Sequence, residues 1–431
     1  MIVLSFTEAR RRVEQAAAEV RATAAEPVEL LLCGGRVLAQ KVAADRDFPP
    51  FPRATRDGYA VRAADVVAPP ARLKVVAEIR AGGPPLPTSA PSTPLRAGSS
   101  GQMWGTREAE FKLRAGEAAE IMTGAPVPAG ADAVVMVEYT SRRGQVVEIQ
   151  RGVAGGENVV PRGAEAKAGE VLLRPGARLT PAAIALAGSC GYHALMAHQR
   201  PQVAILSTGD ELVDIAAQPG PNQIRNSNSY SLAAQVQAAG GNPVVLPIAP
   251  DEPAQLRRLI QEGLAADLLL LSGGVSMGKY DLVEQVLAEL GAEFFFTGAE
   301  IQPGRPIVFG RAPARQGALP THFFGLPGNP VSTMVCFELF ARALVEALAG
   351  AAPGPMRFVQ ARLKSEVRVK TGLTRFLPAI LSGEYERTEV ELVRWQGSGD
   401  MAATARANCL LVAPPDREKI RAGELVSVLL L

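Results

Sequence analysis

From about Pro181 onward the chain alternates short, continuously apolar runs with helical patterns, and this alternation restricts the fold more than any other feature. The runs are QVAILSTG (202–209), NPVVLPIA (242–249), ADLLLLSGG (266–274) and HFFGLPGNP (322–330). Between and after them lie SLAAQVQAAG (231–240), PAQLRRLIQEGL (253–264), YDLVEQVLAELG (280–291) and VSTMVCFELFARALVEALAG (331–350). A strand without a polar face is buried on both sides, so strands of this kind separated by helices pair in parallel. A doubly wound α/β domain is expected here. Beyond the Gly/Pro hinge at 351–355, the short alternating strands VQARLKSEVRVK, RFLPAILS, EVELVRW, LLVAP and LVSVLL predict a small C-terminal β-barrel.

Upstream, Ser5 followed three residues later by Glu8 forms a capping box, which predicts a helix through ARRRVEQAAAEVRA that ends before Pro27. The segment VELLLCGGRVLA (28–39) reads as a second, short helix leading into an extended stretch up to Phe51. Strand-like runs (YAVRA, RLKVVAEI, DAVVMVEY, VVEIQ) fill 58–150 with no long helix, which indicates a mostly β domain. Within it, 82–105 is dominated by Gly, Pro, Ser and Thr and reads as a surface loop or insertion carrying Trp104.

A length of 431 residues with 47% hydrophobic content allows roughly three domains and a large core, which excludes intrinsic disorder. The 45 Lys and Arg nearly cancel 43 Asp and Glu, so a counterion-release binder of nucleic acid is excluded and any anionic partner is held locally. No run of about eighteen apolar residues suggests a membrane span. The apolar start MIVLSF is too short for a signal peptide, so a soluble, cytoplasmic protein is expected. Cys33, Cys190, Cys336 and Cys409 and the three histidines are scattered, without zinc spacing. Reduced thiols are expected, with Cys190 and Cys336 in the core.

Four polar, Gly-rich loops fall where the α/β strands end: Ser207-Thr208-Gly209-Asp210-Glu211, Pro250-Asp251-Glu252, 272–278 beginning Ser272-Gly273-Gly274, and Leu326-Pro327-Gly328-Asn329-Pro330. Ligands of open α/β sheets bind there, where backbone N–H groups can hold phosphate. Any one loop alone reads better as a plain turn, since βα turns need Gly regardless; four together reverse that and point to a phosphorylated ligand. Neither the Walker nor the dinucleotide glycine signature is present. The interspersed acids Asp210, Glu211, Asp251, Glu252 and Asp281 would repel phosphate unless a divalent cation mediates, which suggests Mg²⁺. Each acid alone also fits a helix cap or a solvated surface. On the β side, Arg56-Asp57-Gly58-Tyr59-Ala60 and the run 121–128 containing Thr123-Gly124 read as turns by composition.

The segments DGYA, IMTGAPVP, STGDEL, SGGVSMG with Asp281, PGRP and LPGNPVS stand in the order and approximate spacing of the molybdopterin molybdenumtransferase family, relatives of the gephyrin C-terminal domain. The chain resembles that family over nearly its whole length, including Gly35-Arg36-Val37-Leu38-Ala39, Pro49-Pro50-Phe51 and Ala407-Asn408. The resemblance implies insertion of molybdate into adenylylated molybdopterin, with Mg²⁺-dependent cleavage of the adenylate to give molybdenum cofactor and AMP. It also implies an elongated four-domain homodimer, with DGYA of one subunit facing the α/β domain of the other, and a possible molybdopterin adenylyltransferase partner. On that pattern, 1–26 plus 180–352 is the α/β molybdopterin-binding domain, 27–50 plus 151–179 the elongated connecting domain, 51–150 the mostly β domain and 355–431 the barrel. Asp57, Thr123, Glu211 and Asp281 match the family's catalytic residues, and Glu211 and Asp281 its metal ligands. Substrate-binding positions by the same matching are Ser207, Thr208, Gly209, Asp210, Ser272, Gly273, Gly274, Ser276, Pro303, Gly304, Arg305, Pro327, Gly328, Asn329 and Ser332.

The departures are local. The family's Arg-Gly-Glu-Asp is Arg162-Gly163-Ala164-Glu165, its Asp-Asp pair is Asp251-Glu252, and its Asp-Ser-Asn is Asn226-Ser227-Asn228. Its Lys-Pro-Gly-Lys-Pro is Gln302-Pro303-Gly304-Arg305-Pro306, and an upstream lysine is matched by Gly298. Arg305 keeps one cation; Arg56 and Lys279 either restore charge or are surface residues. An alternative reading is therefore a catalytically weak paralogue that binds molybdopterin as carrier, sensor or scaffold. An adenylyltransferase shares the α/β type but has no need of DGYA and IMTGAPVP.

Overall fold

The four apolar runs become the parallel part of a six-stranded sheet in the computed structural model of the chain, which describes residues 2–82, 86–88, 111–274, 282–313, 319–352 and 354–431. The strand order is Asn242–Val245, Gln202–Ser207, Leu268–Ser272, Thr321–Leu326, Val308–Ala312, Glu293–Phe296. The first four run parallel, whereas the last two, absent from the sequence reading, join antiparallel at one edge. Alternate residues of the central strands face opposite cores. Val203, Ile205, Leu268 and Leu270 pack with helices Phe6–Glu19 and Asn228–Ala239 and with the helical run through Pro330–Cys336 and Arg342–Leu348. Ala204, Leu206, Leu269 and Leu271 pack with Pro253–Gly263 and Leu282–Glu289. Each fully buried leucine contributes about 1.5–3 kcal/mol, so the two-sided burial holds the sheet.

The N-terminal helix Phe6–Glu19 starts at the expected capping box: Glu8 N–H donates to Ser5 Oγ at 3.3 Å, and Ser5 N–H donates to Glu8 Oε2 at 3.0 Å. Its buried stripe is Ala9, Val13 and Ala16. The expected helix over 28–39 is not formed. Ala25–Glu29 is instead a strand paired antiparallel with Ala194–His198, followed by one 3-10 turn, Leu30–Leu32. Gly34 and Gly35 interrupt any longer helix, Gly35 at φ +73°. Strand pairing thus outweighs the helical propensity of the leucines.

The C-terminal strands close a five-membered ring. Thr374–Ser382 pairs with both Glu389–Leu392 and Cys409–Ala413, and Leu425–Leu430 joins Cys409–Ala413 to Phe358–Leu363. Phe358–Leu363 then meets Glu389–Leu392 in parallel. This barrel and the α/β sheet belong to one compact unit (1–40, 174–185, 193–431). The architecture is multidomain, α/β and β.

The second unit comprises 41–173 and 186–192. Its seven-stranded sheet contains Gly58–Val61, Ala71–Ile79, Ala133–Met136 and Val146–Ile149, where strands were expected. Glu117–Ile121 and Thr140–Arg143 complete the path, and Leu86–Pro87 pairs with Ala71–Ile79. Of the segment 82–105, residues 83–85 and 89–105, Trp104 among them, lie outside the described residues. Residues 27–50 are shared between the units: Ala25–Glu29 pairs in the first, while Val42–Ala43 pairs with Val171–Leu173 in the second. All four cysteines are buried thiols. Burial lowers His322 to a pKa of about 4, and its ring stacks on Phe309.

Replacing Ser5 with Ala removes the acceptor for the Glu8 amide and is expected to destabilise the first unit by about 1 kcal/mol. Guanidinium unfolding of wild type and variant measures this. An unchanged midpoint would show that helix docking alone fixes the helix start.

Candidate functional site

The parallel register places Ser207, Ser272 and Leu326 side by side at the carboxyl end of the sheet. Polar groups ending apolar strands need internal partners, and the loops supply them. Ser207 is 1% exposed; its hydroxyl donates to Asn226 Oδ1 (3.1 Å) and lies 2.9 Å from Ser229 Oγ. Asn226 Nδ2 in turn donates to Ser229 Oγ at 2.9 Å. Ser207 is therefore part of a buried floor, with its hydroxyl spent within the protein. Asn228, at the start of helix Asn228–Ala239, donates through Nδ2 to Ser272 Oγ and to the Gly328 carbonyl, both at 2.8 Å. It ties the SGG loop to the LPGN loop.

Several glycine amides are also spent internally: Gly209 N–H donates to Ala249 O and Gly273 N–H to Leu326 O. Gly273 is required by space. A Cβ there would lie 2.5 Å from the Thr208 carbonyl oxygen, and at Gly274 it would lie 2.8 Å from Thr208 Oγ1. Thr208 is 2% exposed, and its Oγ1, like Asn228 Oδ1, is buried without a hydrogen-bond partner among the described residues. Thr208, Ser272, Gly273, Gly274 and Gly328 of the sequence-derived set thus come together in one cluster with Asn228.

The acids divide by task. Asp210 Oδ1 accepts the Asp251 amide at 3.0 Å, clamping two loops. Glu252 caps helix Pro253–Gly263, accepting from Ala254 and Gln255 N–H at 2.9 Å each, and these bonds lower its pKa. Its role is the helix cap that the sequence left open. Glu211 is exposed, its carboxylate folded over Gly209, where a Cβ would come within 2.8 Å of both carboxylate oxygens. Ser276, Lys279 and Asp281 lie outside the described residues. Among the described residues no three His, Cys, Asp or Glu side chains converge as a metal cluster.

The PGRP turn is seated on the LPGNPVS helix: a Cβ on Gly304 would meet Cys336 Sγ at 2.3 Å, and Cys336 Sγ donates to Gly304 O at 3.5 Å. Pro303 and Gly304 are buried, and Gln302 and Arg305 are exposed. Thr333 Oγ1 donates to Pro327 O at 2.5 Å, and Ser332 is buried. Asn329 precedes the helix without a side-chain cap bond. The barrel supplies one instead, since Val331 N–H donates to Ser398 O at 3.1 Å. The helix start is thereby closed by a residue the sequence did not connect with it. Arg375, buried, donates twice to Lys370 O.

In the second unit Asp57 and Thr123, distant in sequence, meet: Thr123 N–H donates to Asp57 Oδ1 at 2.6 Å. Gly58 makes this possible, because a Cβ there would lie 1.9 Å from the Val135 carbonyl oxygen. Both Asp57 and Thr123 are exposed. The Thr123 backbone amide, then its side chain, hold the Asp57 carboxyl below the usual aspartate range. Arg56 is exposed beside it. Asn226, Asn228 and Ser398 were missed as site residues; the Asn-Ser-Asn run before a helix was the available signal for the first two.

Three family models match the chain in succession. They are described as the MoeA N-terminal region (domain I and II) over 4–191, a probable molybdopterin binding domain over 204–347, and the MoeA C-terminal region (domain IV) over 360–431. A molybdopterin molybdenumtransferase of Nostoc sp. is 36% identical over 94% of this chain and 88% of its own length. That of Bacillus subtilis is 30% identical over 92% and 87%. A crystal structure of a molybdopterin biosynthesis MoeA protein from Pyrococcus horikoshii is 27% identical over 100% of both chains, with a TM-score of 0.74.

The depressed Asp57 carboxyl stabilises the fold above the ordinary aspartate range, and that stabilisation is lost as pH falls through its lower folded value. The expected outcome is no contribution of Asp57 to pH dependence from pH 8 to about 5 and a decline below it as the unfolded carboxyl begins to protonate. Asp57→Asn keeps an acceptor oxygen and flattens this acid limb. Denaturation midpoints against pH for both proteins check the sign; an acid limb of equal slope in Asp57→Asn contradicts it.

Proposed function

The chain belongs to the molybdopterin molybdenumtransferase family, and on that premise we propose that it is the enzyme that inserts molybdate into adenylylated molybdopterin and releases AMP. The observation that carries this reading is the unbroken succession of three family domains along a chain whose relatives bear that enzyme's name over their near-full length. The site chemistry supports it. Glycine turns at the carboxyl ends of parallel strands suit a phosphorylated ligand, and exposed carboxylates border them.

Mg²⁺ fits these residues. It takes oxygen ligands and usually one or two carboxylates together with substrate phosphates, so a three-carboxylate cage is not required. Glu211, exposed and held over Gly209, would hold it, with Asp281 as the second ligand by family matching. When bound, Mg²⁺ neutralises charge on the phosphoanhydride that is cleaved. The chain's own part is positional: Asp210 fixes the Asp251 loop, Asn228 fixes the SGG and LPGN loops, and Arg305 presents a cation able to grip phosphate bidentately. Asp57 stays ionised at neutral pH, accepting from the Thr123 amide at an exposed position where a carboxylate can meet substrate.

We place the enzyme in the cytoplasm as a homodimer, with molybdopterin adenylyltransferase as supplier of its substrate. Among the described residues no helix is long and apolar enough to cross a membrane.

The test is AMP release from adenylylated molybdopterin and Mg²⁺, with and without molybdate. Molybdate-dependent release is expected, and Glu211→Gln or Asp281→Asn should abolish it with the melting temperature unchanged. Release that ignores molybdate, or a Glu211→Gln enzyme at wild-type rate, overturns the assignment. Tight adenylate binding with no release would favour the carrier reading. Gln302→Lys adds a cation at an exposed position and should lower KM for molybdate by about fivefold, the worth of one charge at about 4 Å in water-like surroundings.

A further inference from the structure

The Gly328 carbonyl can only accept a hydrogen bond, so the Asn228 side-chain atom that faces it at 2.8 Å must be the amide nitrogen. That nitrogen's second hydrogen goes to Ser272 Oγ, also at 2.8 Å. The orientation of the carboxamide is thereby fixed, and Oδ1 points away from both loops. Oδ1 is buried and has no donor among the described residues. A second buried oxygen, Thr208 Oγ1, is unpaired in the same cluster, beside space that a Cβ on Gly273 or Gly274 would take, at 3.2 and 2.8 Å.

Buried polar atoms are almost always paired, so two orphans in one cluster indicate partners that arrive with a ligand. Their chemistry narrows the ligand group. Oδ1 of a carboxamide accepts and cannot donate, whereas ionised phosphate and molybdate oxygens also accept. Neither anion can satisfy Asn228. A pterin, by contrast, carries a ring N–H and an amino group side by side along one edge, whereas the adenine of the adenylate offers an amino group flanked by acceptor ring nitrogens. The family model described as a probable molybdopterin binding domain spans 204–347 and so includes Thr208, Asn228, Ser272 and Gly328.

We propose that Asn228 determines specificity for the pterin: its Oδ1 accepts an N–H of the molybdopterin ring while its Nδ2 holds the two loops between which that edge enters. This rests on the proposed transferase function and names the part of the substrate that this cluster reads. Neither orphan oxygen is open to solvent, so the pterin edge satisfies an acceptor that water does not. The Thr208 hydroxyl, able to donate or accept, completes the edge.

The test compares three probes on the full chain by calorimetry: molybdopterin, AMP and inorganic phosphate. Asn228→Ala removes the loop tie for all three probes and the pterin contact for one, so molybdopterin is expected to weaken about tenfold more than AMP or phosphate, the worth of one hydrogen bond. Equal weakening of all three would mean that Asn228 only ties the loops, and no weakening, or weakening of AMP alone, would remove the pterin assignment; each overturns the inference. A second measurement needs no variant. Plain pterin should displace molybdopterin from the wild-type protein about tenfold better than a pterin with its amino group dimethylated, and equal displacement overturns the inference even where Asn228→Ala fails to fold. Wild-type protein that binds neither molybdopterin nor AMP would instead bring down the proposed function itself, which separates the two failures.

Discussion

The parallel register of Gln202–Ser207, Leu268–Ser272 and Thr321–Leu326 is the constraint on which the site depends. It sets Ser207, Ser272 and Leu326 in one row, so the three loops that follow leave the sheet at the same level. The strands are apolar through their middles, and at the ends of the first two the hydroxyls of Ser207 and Ser272 are buried where water cannot reach them. Leaving a buried hydroxyl unpaired costs about 1–3 kcal/mol. Asn226 and Ser229 meet that requirement beneath Ser207, and Asn228 meets it at Ser272. The same side chains that make the strand ends tolerable hold the loops at fixed separation. Stability of the sheet edge and preorganisation of the site are here one network.

Much of the fold was legible in the residues. Continuous apolar runs separated by helices specify parallel pairing because nothing polar remains to face solvent, and the Ser5–Glu8 capping box marked a helix start that the structure places there. The failures have local causes. Residues 28–39 carry helical leucines, but the pairing of Ala25–Glu29 with Ala194–His198 depends on a partner some 170 residues away, which no local pattern reveals. The strands Glu293–Phe296 and Val308–Ala312 escaped notice for a related reason: an antiparallel edge pair lacks the helix-separated grammar of the parallel strands. In the site, motif order found the loops but not the division of labour within them. Ser207 and Thr208 are adjacent hydroxyls in one motif, yet one is locked into a polar floor and the other is unpaired. Only the positions of Asn226 and of the glycines at 273 and 274 separate them.

The substitutions that set this chain apart from its family's usual pattern become coherent when read by contact. Asn226 stands where the family has aspartate, and its carboxamide both accepts, from Ser207 Oγ and Ser229 N–H, and donates, to Ser229 Oγ. A carboxylate in that place could accept but not donate, and it would bury a charge with no cation hydrogen-bonded to it. Glu165 forms an ion pair with Arg53, and Arg162 one with Asp47, so the one carboxylate and the arginine that the altered Arg-Gly-Glu-Asp segment keeps are engaged in surface pairs worth little in stability.

The cation positions follow different logic. Gly298 is buried in a strand paired with Val3–Leu4, and a Cβ there would meet Val3 Cγ2 at 3.2 Å. A lysine at 298 would therefore have to displace Val3, so the missing charge is bound up with how the N-terminal strand docks. Gln302 is different: it is exposed, and its backbone pairs with Arg375 at the edge of the barrel. Arg375 itself is buried and spends its guanidinium on the Lys370 carbonyl, so it lends little charge to the turn beside it. Arg305 is left as the exposed cation of the PGRP turn. With a neutral amide floor at Asn226 and Asn228 and the exposed acids Asp210, Glu211 and Asp251 in the neighbouring loops, Arg305 is the one cation this chain keeps of the family's lysine pair in that turn.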